Sequence, residues 1–127
     1  MSQSQDPFST FRMMIDEYSS QILELTSQKP MNACELSEVL GIPIAACYRR
    51  IRMLREAGII TEDGKSVSIG GKSVSTYRSA VGTAQVMLQD GRLKVVIEAN
   101  GERSTDEMDL DSGPTMLHWP LSRKKTG

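Results

Sequence analysis

At Gly58 the spacing of apolar residues changes from a helical repeat to an extended one, so neither an all-helical nor an all-strand fold accommodates this chain. Upstream, Phe8, Phe11, Met14 and Ile15 share one face, and Ile15, Tyr18, Ile22 and Leu25 continue it at intervals of 3, 4 and 3. That spacing predicts one amphipathic helix ending at Lys29-Pro30. Asn32, with Glu35 three residues on, predicts a capped start for a short helix from Ala33 to Leu40. It is expected to bury Ala33, Leu36, Val39 and Leu40 before Gly41 stops it. Pro43 suits the opening of a third helical stretch, whose core stripe is Ile44, Cys47, Ile51 and Leu54, closed by Ala57-Gly58.

Beyond Gly58 the segments are short and rich in turn residues. Asp63-Gly64 and Gly70-Gly71 are both turn dipeptides, so two hairpin registers compete. The tip at Gly70-Gly71 is favoured, setting Val67 opposite Val74 with Lys72 beside the turn. Asp90-Gly91 is a stronger hairpin signal. A two-residue loop there pairs Leu88 with Leu93, Val86 with Val95 and Ala84 with Ile97, all on one face, and this agreement supports the register. Past Gly101 the chain is rich in Asp, Glu and Ser and loses periodicity, which reads as a disordered tail.

The expected organisation is therefore a loose arm over residues 1–7, a helical and winged unit over 8–80, a β-hairpin extension over 81–100 and a tail over 101–127. With 127 residues and 39% apolar content, one modest core is expected. No apolar run is long enough to span a membrane, the first residues do not read as a secretory signal, and two cysteines make no disulfide framework. These features together predict a reduced, cytoplasmic protein.

Fifteen basic and sixteen acidic residues give a net charge of −1, which by itself argues against nucleic-acid binding. The distribution argues otherwise. From Pro43 to Gly58 stand Arg49, Arg50, Arg52 and Arg55 against Glu56 alone, and from Gly64 to Ala80 stand Lys65, Lys72 and Arg78 with no acid. Screening limits each charge to a reach of about 8–10 Å, so local patches decide what binds. On the third helix Ala45, Arg49 and Arg52 point away from the apolar stripe, with Tyr48 and Arg55 on one flank and Arg50 nearer the other. A basic helix following a tight turn, and followed by a basic hairpin, amounts to a winged helix-turn-helix of α+β class with three to four helices. An α-helix fits the major groove, and arginine's planar fork matches a guanine edge or a phosphate. The preceding helix is expected to offer its N-terminal amides and Asn32 to a phosphate, and the hairpin with Lys65 and Lys72 to approach the backbone.

The stretch Ala33-Cys-Glu-Leu-Ser-Glu-Val-Leu-Gly41, the Tyr48-Arg49-Arg50 triplet, the Leu54-Arg-Glu-Ala-Gly58 ending and the late Tyr77-Arg78 resemble the ArsR-like winged helix-turn-helix transcription regulators, the archaeal members most in style. The resemblance covers roughly residues 8–80. It implies that Tyr48, Arg49 and Arg52 face DNA and that Lys72 is a wing contact. The chain departs from the pattern at Ala45 and Ala46, where small hydroxyl residues are often found. It also lacks the paired-cysteine motif of metal-sensing members, having only Cys34 there, while Cys47 falls on the buried stripe.

Gly70-Gly71-Lys72-Ser73 lacks the upstream glycine and the following helix of a phosphate-binding loop, and Asp109-Leu-Asp111-Ser-Gly113 lacks the remaining ligands of a calcium loop. One histidine, His118, offers no nucleophile–base pair. No enzymatic role, metal or cofactor is expected. The expected partners are double-stranded DNA and a second copy of the chain, with the N-terminal helix or the 83–98 hairpin as dimer elements. Met116-Leu-His-Trp-Pro-Leu121 is a candidate docking motif for a protein. The competing reading is a winged-helix protein–protein interaction module, favoured by the near-neutral total charge and the Trp119 motif.

Overall fold

The computed structural model describes residues 6–67 and 70–109. The elements run α1 (Pro7–Met14), α2 (Glu17–Gln28), β1 (Met31–Asn32), α3 (Ala33–Leu40), α4 (Ile44–Glu56), β2 (Ile60–Val67), β3 (Ser73–Ser79), β4 (Val81–Gln89), β5 (Arg92–Ala99) and β6 (Glu102–Asp109). The class is α+β: the described residues form four helices and two three-stranded antiparallel sheets, ordered β1-β3-β2 and β4-β5-β6.

The helix expected to run from Phe8 to Lys29 is two helices. Asp16 interrupts it by capping α2, accepting a hydrogen bond from the Ser19 amide at 3.0 Å. Ile15, expected on the core face, lies in the break and is 62% exposed. The apolar spacing runs through the break because both helices bury a face. Asp6 and Pro7, expected in the loose arm, belong to the first helix instead: Asp6 caps α1 through the Ser9 amide and Pro7 opens it. Residues 1–5 lie outside the described residues.

Ile22, Leu36, Cys47, Ile51, Leu54, Ile59, Ile60 and Tyr77 form the main core between α2, α3, α4 and the first sheet. Cys47, Ile51 and Leu54 are the expected stripe of α4. Ile44 at its head and Val39 on α3, both expected inside, are exposed among the described residues, at 40% and 60%. Gly41 ends α3 in the left-handed region at φ 71°, a conformation costly for side chains with a Cβ, and this closes the three-residue turn into α4.

The wing formed by β2 and β3 uses both turn dipeptides, one as tip and one as bulge. Its tip falls near Gly70-Gly71 as expected, but the register is one residue off, with Val67 opposite Ser73 and Ser66 opposite Val74. The shift in register between Glu62 and Lys65 contains Asp63-Gly64. Gly64 has φ 87°, and the Thr76 hydroxyl donates to the Asp63 carbonyl, which pins the bulge.

The second sheet keeps the expected register: Leu88–Leu93, Val86–Val95 and Ala84–Ile97. It has a third strand that the expected tail had absorbed. Residues 102–109 form β6, which pairs with β5 along its length, so a tail beginning at 101 is corrected to a strand through Asp109. Asn100-Gly101 makes the turn, with φ 56° and 77°, matching 55° and 77° at Asp90-Gly91. Arg103 to Glu98 at 2.9 Å and Arg92 to Glu107 at 2.8 Å add cross-strand ion pairs. The expectations for residues 110–127, including the Trp119 segment and His118, lie outside the described residues.

Phe8, Val95 and Ile97 form a second core, with Phe11, Met14, Ala84, Leu93 and Met108 packed around it. Met14 also packs on the main core, so α1 links the two. The sheets meet at one corner, where the Ala80 amide donates to the Ile59 carbonyl and the Asn100 amide to the Ala80 carbonyl. The Asn100 side chain donates to the Gly58 carbonyl at 3.0 Å. The end of α4 is thereby tied to the second sheet.

Candidate nucleic-acid interface

The four arginines of α4 separate into two pairs. Arg50 turns back: its Nε donates to Asp16 at 2.9 Å, and its guanidinium lies 5.1 Å from the Tyr18 ring centroid. Arg55 leans toward the wing, 3.7 Å from a Glu62 carboxylate oxygen and 6.0 Å from the Tyr77 ring centroid. Arg49 and Arg52 project to solvent, and among the described residues neither makes an ion pair or a side-chain hydrogen bond. Ala45 and Tyr48 are exposed on the same helix. Their common origin is the helical repeat: with Cys47, Ile51 and Leu54 buried, positions 45, 49 and 52 must face outward.

Between α4 and β3 lies an open concavity of about 540 Å³, lined by Tyr48, Ile51, Arg52, Arg55, Glu56 and Tyr77. Burial against this wall, with Tyr77 and Cys34 nearby, pushes the Tyr48 phenol above its ordinary value. Tyr48 therefore stays neutral and able to donate a hydrogen bond throughout the physiological range.

The other expected contacts fare differently. Lys72 is exposed beside the wing tip with no partner among the described residues. Lys65 is spoken for: its Nζ lies 3.5 Å from Glu62 and 3.2 Å from the Ser75 hydroxyl. The Ser75 hydroxyl and the nearby Lys65 and Arg55 hold the Glu62 carboxyl below the usual range. Asn32, expected to meet a phosphate, is only 3% exposed. Its side-chain oxygen accepts from the Glu35 amide at 2.8 Å, while Glu35 accepts from the Asn32 amide at 2.9 Å. Its Nδ2 donates to the Ser66 hydroxyl at 3.0 Å. Asn32 thus fastens α3 to the wing, and Glu35 fills the anion position at the start of α3.

The start of α4 has the opposite character. Pro43 precedes it, there is no side-chain cap and no acidic residue in the first turn. The Ala46 and Cys47 amides donate to the Pro43 carbonyl, which leaves the Ile44 and Ala45 amides for a solvent or ligand acceptor. Arg55 and Tyr77 line the site but were not expected there. Arg55 was visible on a flank of α4, whereas the position of Tyr77 depends on strand pairing between β2 and β3.

A family model for a helix-turn-helix domain matches residues 14–63, the span of α2, α3, α4 and the opening of β2. A comparison with curated proteins finds no match to the chain. Among the described residues no helix is long and apolar enough to cross a membrane.

Proposed function

We propose that this chain is a DNA-binding transcription regulator of the ArsR-like winged type, acting as a homodimer in the cytoplasm. Its recognition helix is α4, lying in the major groove, and its wing rests on the phosphate backbone. The observation that carries this reading is the pair Arg49 and Arg52, exposed and without an ion pair among the described residues, beside a helix start with no side-chain cap. Unpaired guanidinium groups on the outer face of a helix fit a groove lined with guanine O6 and N7 acceptors. Ala45 presents a small apolar surface for a thymine methyl, and Tyr48 a hydrogen-bond donor beside the concavity. The open amides of α4 and Lys72 take phosphates, fixing register rather than sequence. A helix of 13 residues reads few base pairs, and a dimer supplies the second half-site.

Selection from random duplex DNA by the purified protein, at two salt concentrations, tests this. Enrichment of a two-fold symmetric site whose occupancy falls with salt is the expected result. Absence of duplex binding even at low salt overturns it and leaves this surface to the competing reading, a protein-interaction module.

A further inference from the structure

Among the described residues three long strands end a sheet, and two of them carry features that discourage further pairing. β2 contains the register shift at Asp63-Gly64 and the charges of Glu62, Asp63 and Lys65. β6 carries Glu102, Arg103, Asp106, Glu107 and Asp109. β4 is different. Its nine residues, Val-Gly-Thr-Ala-Gln-Val-Met-Leu-Gln, hold no charge and no proline. Among the described residues only β5 pairs with it. An uncharged, proline-free edge of this length is a ready template for another strand.

The packing of α1 exposes the same region. That helix lies over β5 and β6, so Val95 and Ile97 are covered while Val86 and Leu88, on the same face, are 40% and 65% exposed. Met87 on the other face is 38% exposed. The free edge and the uncovered apolar residues therefore coincide at one margin of the sheet.

We infer that β4 pairs antiparallel with the β4 of a second copy of this chain, joining the two sheets into one of six strands. A second copy fits this margin for two reasons. An antiparallel pair of identical strands is self-complementary about a two-fold axis, so the contact closes at two chains instead of propagating. A strand with no charge also offers nothing to select an acidic or basic peptide, whereas another β4 matches its length and apolar positions. The two-fold joins Val86 and Leu88 of one protomer to those of its partner in a continuous apolar stripe. This pairing gives the homodimer of the proposed function its interface, and it rests on that reading only for its use, since its evidence is the sheet itself.

With the two-fold at Gln85, the middle of β4, Gln85 stands opposite its own copy and Val86 lies diagonally across the axis from its own, so a charge at either position faces a like charge. Sedimentation velocity on the full chain without DNA is the test, with circular dichroism to verify folding. The wild type is expected at twice the chain mass. Val86→Lys and Val86→Glu should each dissociate at least about tenfold more readily, the equivalent of ~1.4 kcal/mol, and an equimolar mixture should recover the dimer. Gln85→Lys, at an exposed position, serves if the Val86 variants fail to fold. Thr105→Lys on β6 should leave the dimer intact. A wild-type monomer at tens of micromolar, a β4 variant that stays dimeric, a mixture that does not recover, or a dimer lost through Thr105→Lys each overturns the pairing. A monomer that binds duplex DNA refutes the pairing alone; a dimer without duplex affinity refutes the DNA reading alone.

Discussion

Replacing each arginine of α4 by alanine should separate stability from binding within a single helix. Arg50 has a side chain only 18% exposed, bonded to Asp16 at 2.9 Å and set over Tyr18. Asp16 is 43% exposed, so the ion pair is screened and contributes only about 0.5–1 kcal/mol. The ring contact adds about 0.5–1 kcal/mol, with some loss of methylene packing besides. Arg50→Ala should therefore destabilise the fold by about 1–2 kcal/mol, moving a urea midpoint by roughly 0.5–1 M for an m-value near 2 kcal/mol/M. Arg49→Ala and Arg52→Ala remove no ion pair and no side-chain hydrogen bond among the described residues and should stay within about 0.5 kcal/mol of wild type. Their effect belongs to duplex affinity, a loss of about 1–3 kcal/mol each, or roughly 5- to 150-fold. The assays are urea unfolding followed by circular dichroism and fluorescence anisotropy with the selected duplex, at a temperature where every variant is folded. A cycle with Asp16→Ala should show coupling of about 0.5–1 kcal/mol. An Arg50→Ala protein of unchanged stability, or one that loses as much DNA affinity as Arg52→Ala, would refute this division of roles.

Other consequences follow from the same contacts. Asn100 holds a left-handed turn and the Gly58 carbonyl, so Asn100→Ala should cost about 2 kcal/mol, half from the backbone conformation and half from the hydrogen bond, while Asn100→Gly should cost about 1 kcal/mol. Calorimetry would show the order of the two, and equal losses would contradict it. Burial pushes the Cys47 thiol up, so a thiol reagent should label the exposed Cys34 quickly and Cys47 only on unfolding; mass spectrometry of the peptides checks this. The Arg50 side chain and then the Ser19 amide hold the Asp16 carboxyl below its usual range. The stability this confers is present above the unfolded value of about 3.9 and lost as pH falls through the folded value. Asp16→Asn should flatten that part of the acid limb in urea titrations, and an unchanged limb would refute the role.

Much of the architecture is legible in local signals. The stripe of Cys47, Ile51 and Leu54 fixes which face of α4 is free, and Asp90-Gly91 with its flanking apolar pairs fixes the β4–β5 register. What escaped depends on signals read too generally or on distant partners. β6 was hidden because its composition is acidic, yet an edge strand needs no apolar face when cross-strand ion pairs and Met108 hold it, and Asn100-Gly101 is as strong a turn signal as Asp90-Gly91. The break at Asp16 was masked by apolar spacing that stays in phase across two helices, although an Asp before Glu17 is a helix-start signal. Asn32 stands at a helix start, a place that suits a ligand contact. Its real commitments, to Glu35 and to Ser66 on the wing, need the tertiary fold to be seen.

The most direct test of the central claim is the salt dependence of duplex affinity, measured for the wild type and for Lys72→Ala. Each phosphate contact contributes about −0.9 to the slope of log K against log salt. The wild type should show a steep negative slope. Lys72→Ala should make it shallower by about one contact in each protomer, with unchanged sequence preference. A flat wild-type slope, or a Lys72→Ala protein with an altered preferred sequence and an unchanged slope, would contradict it.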